Sequence, residues 1–323
     1  MKIARRTFAF LIGALIVVFS ASAQQSYPTR PIRLIVPFPP GGGNDFVGRL
    51  VAQKLGERLG QQIVVDNRAG ASGVIGTEIG ARATPDGYTL LLGFVGPLAL
   101  RPNLEKVPYD PVRDFTAASL IASSYHILVV HPSIPVRSVK DLIAFARARP
   151  GQLNYASSGT GANFHLIAEL FKSAAGIDIV HVPYKGAAAA ALAVVTGEAH
   201  MMFSSTTAVL PHIRTKRLTA LAVTSPARSP LAPEVPTLVE SGVRGVELGS
   251  WYAIVAPAAT PREIVARLNA ELVSLASVPE YRQQLEKLAF EPLTSKPEQF
   301  AGFVKGELDK WGKVIRAAGI KPE

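Results

Sequence analysis

The chain has 323 residues, 48% of them hydrophobic, with 34 Lys and Arg against 24 Asp and Glu. Its net charge of +10 is scattered (Arg30, Arg33, Arg49, Lys54, Arg58, Arg68) instead of gathered into a basic run with interleaved aromatics, so no nucleic-acid footprint is present. With no cysteine, disulfides, thiol catalysis and thiolate metal sites are excluded, and the fold must stand on its buried core alone.

Lys2, Arg5 and Arg6 precede an apolar run from Thr7 to Phe19, and Ser20-Ala21-Ser22-Ala23 closes it with small residues. That is the layout of a secretory signal peptide covering residues 1–23, with cleavage expected after Ala23. The alternative, an uncleaved anchor, requires roughly 20 apolar residues to span a bilayer, more than this run supplies. No later stretch is long and apolar enough to cross a membrane. Removing the three basic residues lowers the net charge from +10 to +7. The remaining chain of about 300 residues suits two domains.

In chain order, Ile32 to Phe38 reads as a strand broken by Pro39-Pro40-Gly41-Gly42-Gly43. Asn44 to Leu59 follows with helical spacing of its apolar residues, and Gly60 stops it. Ile63 to Asp66 is a strand, Arg68 to Gly73 a glycine-rich loop, and a helix runs to about Ala83. Thr84-Pro85-Asp86-Gly87 is a turn, and Tyr88 to Leu92 a strand stopping at Gly93. The pattern restarts with a strand over His126 to Val130 and a helix over Ser138 to Ala148, capped by Ser138. Leu153 to Ala156, Ile179 to Val182, His200 to Phe203 and Leu218 to Val223 are strands; Asn163 to Ala174 and Gly186 to Thr196 are helices. After a proline-rich connection (Ser225 to Pro236), Trp251 to Ala256 is a strand. Helices over Pro261 to Ala276, Pro279 to Leu288 and Pro297 to Ala317 complete the chain. This alternation predicts an α/β fold with right-handed crossovers. The C-terminal return predicts two lobes, residues 24–124 with 251–323 and residues 125–250, joined by crossings near Ser124-Tyr125 and Ser250-Trp251.

Two segments carry the chemistry. Gly41, Gly42 and Gly43 sit between a strand and a helix start, where glycine lets backbone N–H groups approach a ligand and the helix adds partial positive charge. The spacing matches neither a P-loop nor a dinucleotide fingerprint, and the alternative is a bare structural turn. Asp45 falls at the helix start, where a cap is its expected role. Ser157-Ser158-Gly159-Thr160-Gly161 repeats the arrangement before the helix that opens at Asn163. Its hydroxyls suit an anionic oxygen without a buried counter-charge. His165 faces either the cleft or the packing between lobes. Tyr184 is placed to roof a ligand and Gly186 to offer its amide. No Gly-x-Ser-x-Gly elbow appears, so an enzyme built on Ser158 and His165 is not expected, and no metal motif is present.

Together, Tyr27-Pro28-x-Arg30-Pro31-Ile32, Ile35-Val36-Pro37-Phe38-Pro39-Pro40-Gly41-Gly42, Val65-Asp66-Asn67-Arg68-x-Gly70, Pro85-Asp86-Gly87-Tyr88-Thr89-Leu90, Asn154-Tyr155-Ala156-Ser157-Ser158-Gly159 and His181-Val182-Pro183-Tyr184-Lys185-Gly186 resemble the Bug-type solute-binding receptors of tripartite tricarboxylate transporters. The resemblance covers essentially the whole chain after residue 23. It implies a type II periplasmic binding fold, two α/β lobes joined by two crossover strands with a ligand cleft between them. It also implies a small carboxylate held by backbone amides and ordered waters, with contacts falling on Phe38, Pro39, Gly41 to Asn44 and Ser157 to Gly161, and with Tyr184 and Gly186 nearby. Asn163 is a further cleft candidate. Where many relatives carry an acid, Ser204 stands here, and Phe164 replaces a small residue. The expected partners are the carboxylate and the membrane components of a transporter, or alternatively of a sensor. The protein is expected as a periplasmic monomer without cofactor, metal or nucleic acid.

Overall fold

The run from Ile32 forms strand β1 (Ile32–Val36), in which Ile32, Leu34, Ile35 and Val36 are all buried, as a parallel strand covered on both faces requires. In the computed structural model, which describes residues 27–317, 319 and 320, helix α1 (Gly43–Leu59) follows and buries Val47, Val51 and Leu55 at successive turns. Gly60 ends it in the left-handed region at φ 68°, its N–H returning to the Gly56 carbonyl. Strand β2 (Ile63–Asn67), helix α2 (Val74–Ala81) and strand β3 (Thr89–Phe94) follow, and β2 and β3 lie parallel on either side of β1. The expected signal peptide, residues 1–23, and its cleavage point lie outside the described residues.

Beyond Phe94 the chain continues in a π-turn over Gly96–Leu100 and a 3-10 turn over Arg101–Asn103. Strand β4 (Phe115–Val130) is three times the expected length. Its first half, rich in Ala and Ser, lacks the apolar density that marks a strand in sequence. It is ordered instead by its neighbours, which bury Ala117, Ala118, Ser119 and Ala122.

The second lobe repeats the plan. Helix α3 (Val139–Ala148) is capped by Ser138, whose Oγ accepts the Asp141 N–H. Strand β5 (Asn154–Ser157), helix α4 (Asn163–Ala175), strand β6 (Val180–Pro183), helix α5 (Ala187–Val195) and strand β7 (Met201–Ser205) follow. Helix α6 (Thr206–Arg214) is not announced by its sequence: it is short and carries Pro211 in its interior, which argues against helix locally. After β8 (Thr219–Val223) and an irregular stretch, β9 (Gly249–Pro257) returns to the first lobe. Helices α7 (Arg262–Ala276) and α8 (Pro279–Lys287), a three-residue strand β10 (Phe290–Pro292) and helix α9 (Phe300–Ala317) complete it.

The strands run β2-β1-β3-β9-β4-β7-β5-β6, with β10 and β8 also on β4. In each lobe a parallel trio is flanked by antiparallel strands, and β4 belongs to both. It pairs with β9 as far as Tyr125↔Gly249, then with β7 and β8 from His126↔Ser205 and Ile127↔Val223 onward. Buried Thr224 ties the two crossings: its Oγ1 accepts the His126 N–H at 2.9 Å and donates to the Leu248 carbonyl at 2.7 Å.

Candidate functional site

Between the lobes lies a cavity of about 30 Å³, lined from the first lobe by Phe38, Pro39, Gly42, Gly43, Asn44 and Phe94 and from the second by Ser158, Asn163, Phe164, Ala187 and Ser205. His126, Ser250 and Tyr252, at the crossings, complete its lining. Four helices present their N-termini to it. α1 begins after Gly42, α4 after Ala162, α5 after Gly186 and α6 after Ser205, and none of these four has a side-chain cap. Their first N–H groups are therefore unsatisfied within the helices and carry the positive end of each helix dipole. Among the described residues, no Asp, Glu, Lys or Arg side chain lines the space.

Aromatic rings form the apolar wall. Phe38 meets Phe94 edge-on at 5.4 Å, Phe94 stacks on Tyr252 at 5.2 Å, and Phe164 meets His126 edge-on at 5.1 Å. At the crossings the Asn163 Nδ2 donates to His126 Nε2 at 2.9 Å and to Ser250 Oγ at 2.8 Å. Burial lowers the His126 pKa to about 3, so the imidazole is neutral at physiological pH. Burial likewise pushes the Tyr252 phenol up to about 12.

A wider cleft of about 630 Å³ opens beyond Phe38 and Pro39, between the loop Ala69–Gly73 with Arg101 and Glu105 on one side and Ser158–Thr160 with Tyr184–Gly186 on the other. The lobes touch here. The Thr160 carbonyl accepts Ser72 Oγ at 2.8 Å and Arg101 Nη1 at 3.0 Å, and Arg101 is braced by Glu105. A Cβ on Gly161, at φ +68°, would overlap the Arg101 guanidinium. Gly42 and Gly43 sit close to the other lobe as well: a Cβ added to each would lie 3.6 Å from Ala187 and 3.3 Å from Ser205 respectively. These backbones come together because they lack side chains.

The residues selected from the sequence separate into groups. Phe38, Pro39, Gly42, Gly43, Asn44, Ser158 and Asn163 line the inner cavity; Gly159, Thr160, Tyr184 and Gly186 line only the outer cleft. Gly41, Ser157, Gly161, His165 and Ser204 line neither. The Gly41 N–H is already engaged by Asp45 Oδ2 at 3.1 Å. Asp45 itself is not the cap, which is Gly42; it sits in the first turn of α1. Burial alone would raise its pKa, but hydrogen bonds from Arg49, Gly41 and Asn67 outweigh that and hold the carboxyl below its usual range. The Ser157 Oγ is paired with His181 Nε2 at 2.7 Å, and His165 stacks on His181 at 4.0 Å, in packing away from the cavity. Tyr184 directs its hydroxyl to Glu198 at 3.0 Å. Adjacent strand residues face opposite ways, so Ser205 lines the cavity while Ser204 is buried beside it. Sequence reasoning passed over Phe94, His126, Ser205, Ser250 and Tyr252 as site residues. The signal available was position: His126, Ser250 and Tyr252 sit at the expected crossings, which any cleft between lobes must include.

This architecture defines a two-lobed binding protein: the type II periplasmic binding fold, with its ligand cleft between α/β lobes. The chain belongs to the tripartite tricarboxylate transporter family of receptors, whose model matches residues 47–320, and it is a Bug-type solute-binding receptor and not an enzyme. It is 37% identical to the protein BugT of Bordetella pertussis over 96% of this chain and 97% of that one. The structure of R. palustris Rpa4515 with adipate superposes at a TM-score of 0.89 with 38% identity, covering 92% of this chain and 100% of that one. MatC (Rpa3494) from Rhodopseudomonas palustris with bound malate gives 0.82 with 30% identity over 90% and 100% of the two chains.

Proposed function

We propose that this protein is a periplasmic receptor that captures a small organic, dicarboxylic or aromatic acid between lobes spanning residues 24–124 with 251–323 and residues 125–250, and delivers it to a tripartite tricarboxylate-type membrane transporter. The observation that carries this reading is the convergence of four uncapped helix N-termini on one cavity with no charged side chain among its lining residues. Such a site matches an anion by unpaired N–H groups and helix dipoles. The amides of Gly42 to Asn44 hold the carboxylate from the first lobe, and Ser158 with the start of α4 and α5 completes its shell when the lobes close. Relatives that hold adipate and malate support the ligand class. Closure on the ligand makes a shape that membrane partners distinguish from the open one. Calorimetric titration against a panel of small acids is the test of binding: at least one acid is expected to bind and to raise the melting temperature, and silence across the panel defeats the reading. Delivery is tested by uptake of that acid, which is expected to fall in a deletion strain.

A further inference from the structure

The crossings have a second face. In an antiparallel pair, opposed residues share a face and successive residues alternate between faces. Ser124 pairs with Ser250 and Ala122 with Tyr252, on the face where Ser250 and Tyr252 line the ligand cavity. Tyr125 therefore points the other way. Glu291, opposed to Ser123, and Val223, opposed to Ile127, lie on that same reverse face. All three line a pocket of about 530 Å³, within the range of small-molecule sites. One wall is the second-lobe stretch after β8, with Pro226, Pro230 and Leu231, and the other is the first-lobe segment between Gln283 and Glu291. Its chemistry is the reverse of the cavity's. The apolar surface is rimmed by charge: Glu240 holds Arg228 at 2.9 Å, which leaves Lys287 against Glu286 and Glu291. These three side chains are exposed and form no ion pair among the described residues. Burial raises the Tyr125 pKa, and the Glu291 carboxylate raises it further, so that charge reaches the phenol. An aromatic ring beside a free carboxylate attracts a cation through quadrupole and charge together.

We propose that this pocket is a second ligand site, which takes an organic amine with its apolar body between the two walls and its ammonium group at Tyr125 and Glu291. The site is separate from carboxylate capture and does not depend on it. The excess of carboxylates on its rim disfavours an anion, so the acid held in the cleft is not its ligand. Its position gives it a consequence. The walls belong to different lobes and lie behind the crossings, where closing the cleft in front draws them apart. The pocket is open here while the lobes touch through Thr160, so an amine that fills it favours the closed arrangement.

The test is calorimetry of the purified protein with tryptamine, tryptophol and indole-3-acetate, which share one ring system and end in an ammonium, a hydroxyl and a carboxylate. Competition against bound tryptamine ranks them at this site even where the acid also enters the cleft. Tryptamine is expected to bind about threefold more tightly than tryptophol and about tenfold more tightly than indole-3-acetate, with the differences shrinking as salt is added. Tyr125→Ala is expected to weaken tryptamine tenfold or more. Glu291→Gln, at an exposed position for which folding is secure, is expected to bring tryptamine and tryptophol to equal affinity. In solution scattering, saturation with tryptamine is expected to leave the radius of gyration equal or smaller. Absence of tryptamine binding, preference for the acid, or unchanged affinity in both variants overturns the site, and expansion on binding overturns its link to closure. Each of these results leaves carboxylate capture standing, and failure of every small acid to bind leaves this site standing.

Discussion

At the scale of single residues, two positions govern the site in different ways. Gly42 has an extended backbone that any residue can adopt, at φ −99°, so replacing it tests close approach and not backbone strain. A Cβ there would already lie 3.6 Å from Ala187 of the other lobe. Gly42→Leu is therefore expected to weaken ligand binding by tenfold or more in calorimetry while the melting temperature without ligand moves by only a few degrees; full affinity would mean the loop is merely a turn. His126 governs stability in acid. Its usual pKa of 6.5 applies in the unfolded chain and about 3 in the folded one, so between those values the unfolded state binds more protons. Stability is thus intact above the unfolded value and drains away as pH falls towards the folded one. From pH 7 to pH 5 the wild type is expected to lose about 2 kcal/mol more than His126→Phe in urea unfolding, and parallel losses would contradict burial of the neutral ring.

At the scale of elements, the crossings hold the most consequential hydrogen bonds. Thr224 satisfies the His126 N–H and the Leu248 carbonyl with a single buried hydroxyl, linking β4 to the chain entering β9. Thr224→Val keeps the shape and strands both backbone groups. It is expected to cost about 2–4 kcal/mol in urea unfolding, and a cost under about 1 kcal/mol would show that water replaces the hydroxyl. The helices contribute by where they begin. α3 is capped by Ser138, as its sequence announces, whereas the four that face the cavity are left uncapped. α2, α7 and α8 lack side-chain caps as well and do not line this cavity, so what singles out the four is that they begin at it.

At the scale of the whole molecule, the lobes meet through the Thr160 carbonyl, held by Ser72 and Arg101. A charged donor such as Arg101 contributes about 1.5–3 kcal/mol to a hydrogen bond of this kind. Arg101→Met is expected to shift the unliganded protein towards the open form, seen as a larger radius of gyration in solution scattering, and to weaken ligand binding about tenfold through the smaller closed population. Equal radii and equal affinity would remove the latch from the closing mechanism. Trp251 and Trp311 both donate to Glu307, at 3.0 and 3.1 Å, and Trp251 follows cavity-lining Ser250 directly. Because the chain has only 2 tryptophans, its intrinsic emission reports on the crossing.

The local elements were legible wherever a residue type leaves few choices. Apolar runs such as Ile32–Val36 must be buried, Gly60 must end a helix, Ser138 must cap one, and glycines between strand and helix must leave backbone amides unshielded by a side chain. The α/β class and the glycine loops follow from those constraints. The first half of β4, the short β10 and the Pro-containing α6 were not legible, because their order comes from neighbours distant in the chain. The same holds for the site: Ser205 faces the cavity and Ser204 does not, a difference of one step in a pleat whose phase only the pairing of β7 with β4 and β5 fixes. Sequence by itself determined where glycines leave backbone amides unshielded at helix starts, since glycine and helix geometry are local properties. Only the tertiary structure decided that His126, Asn163 and Ser250 meet, because their contact depends on two crossings closing one hydrogen-bond network between lobes.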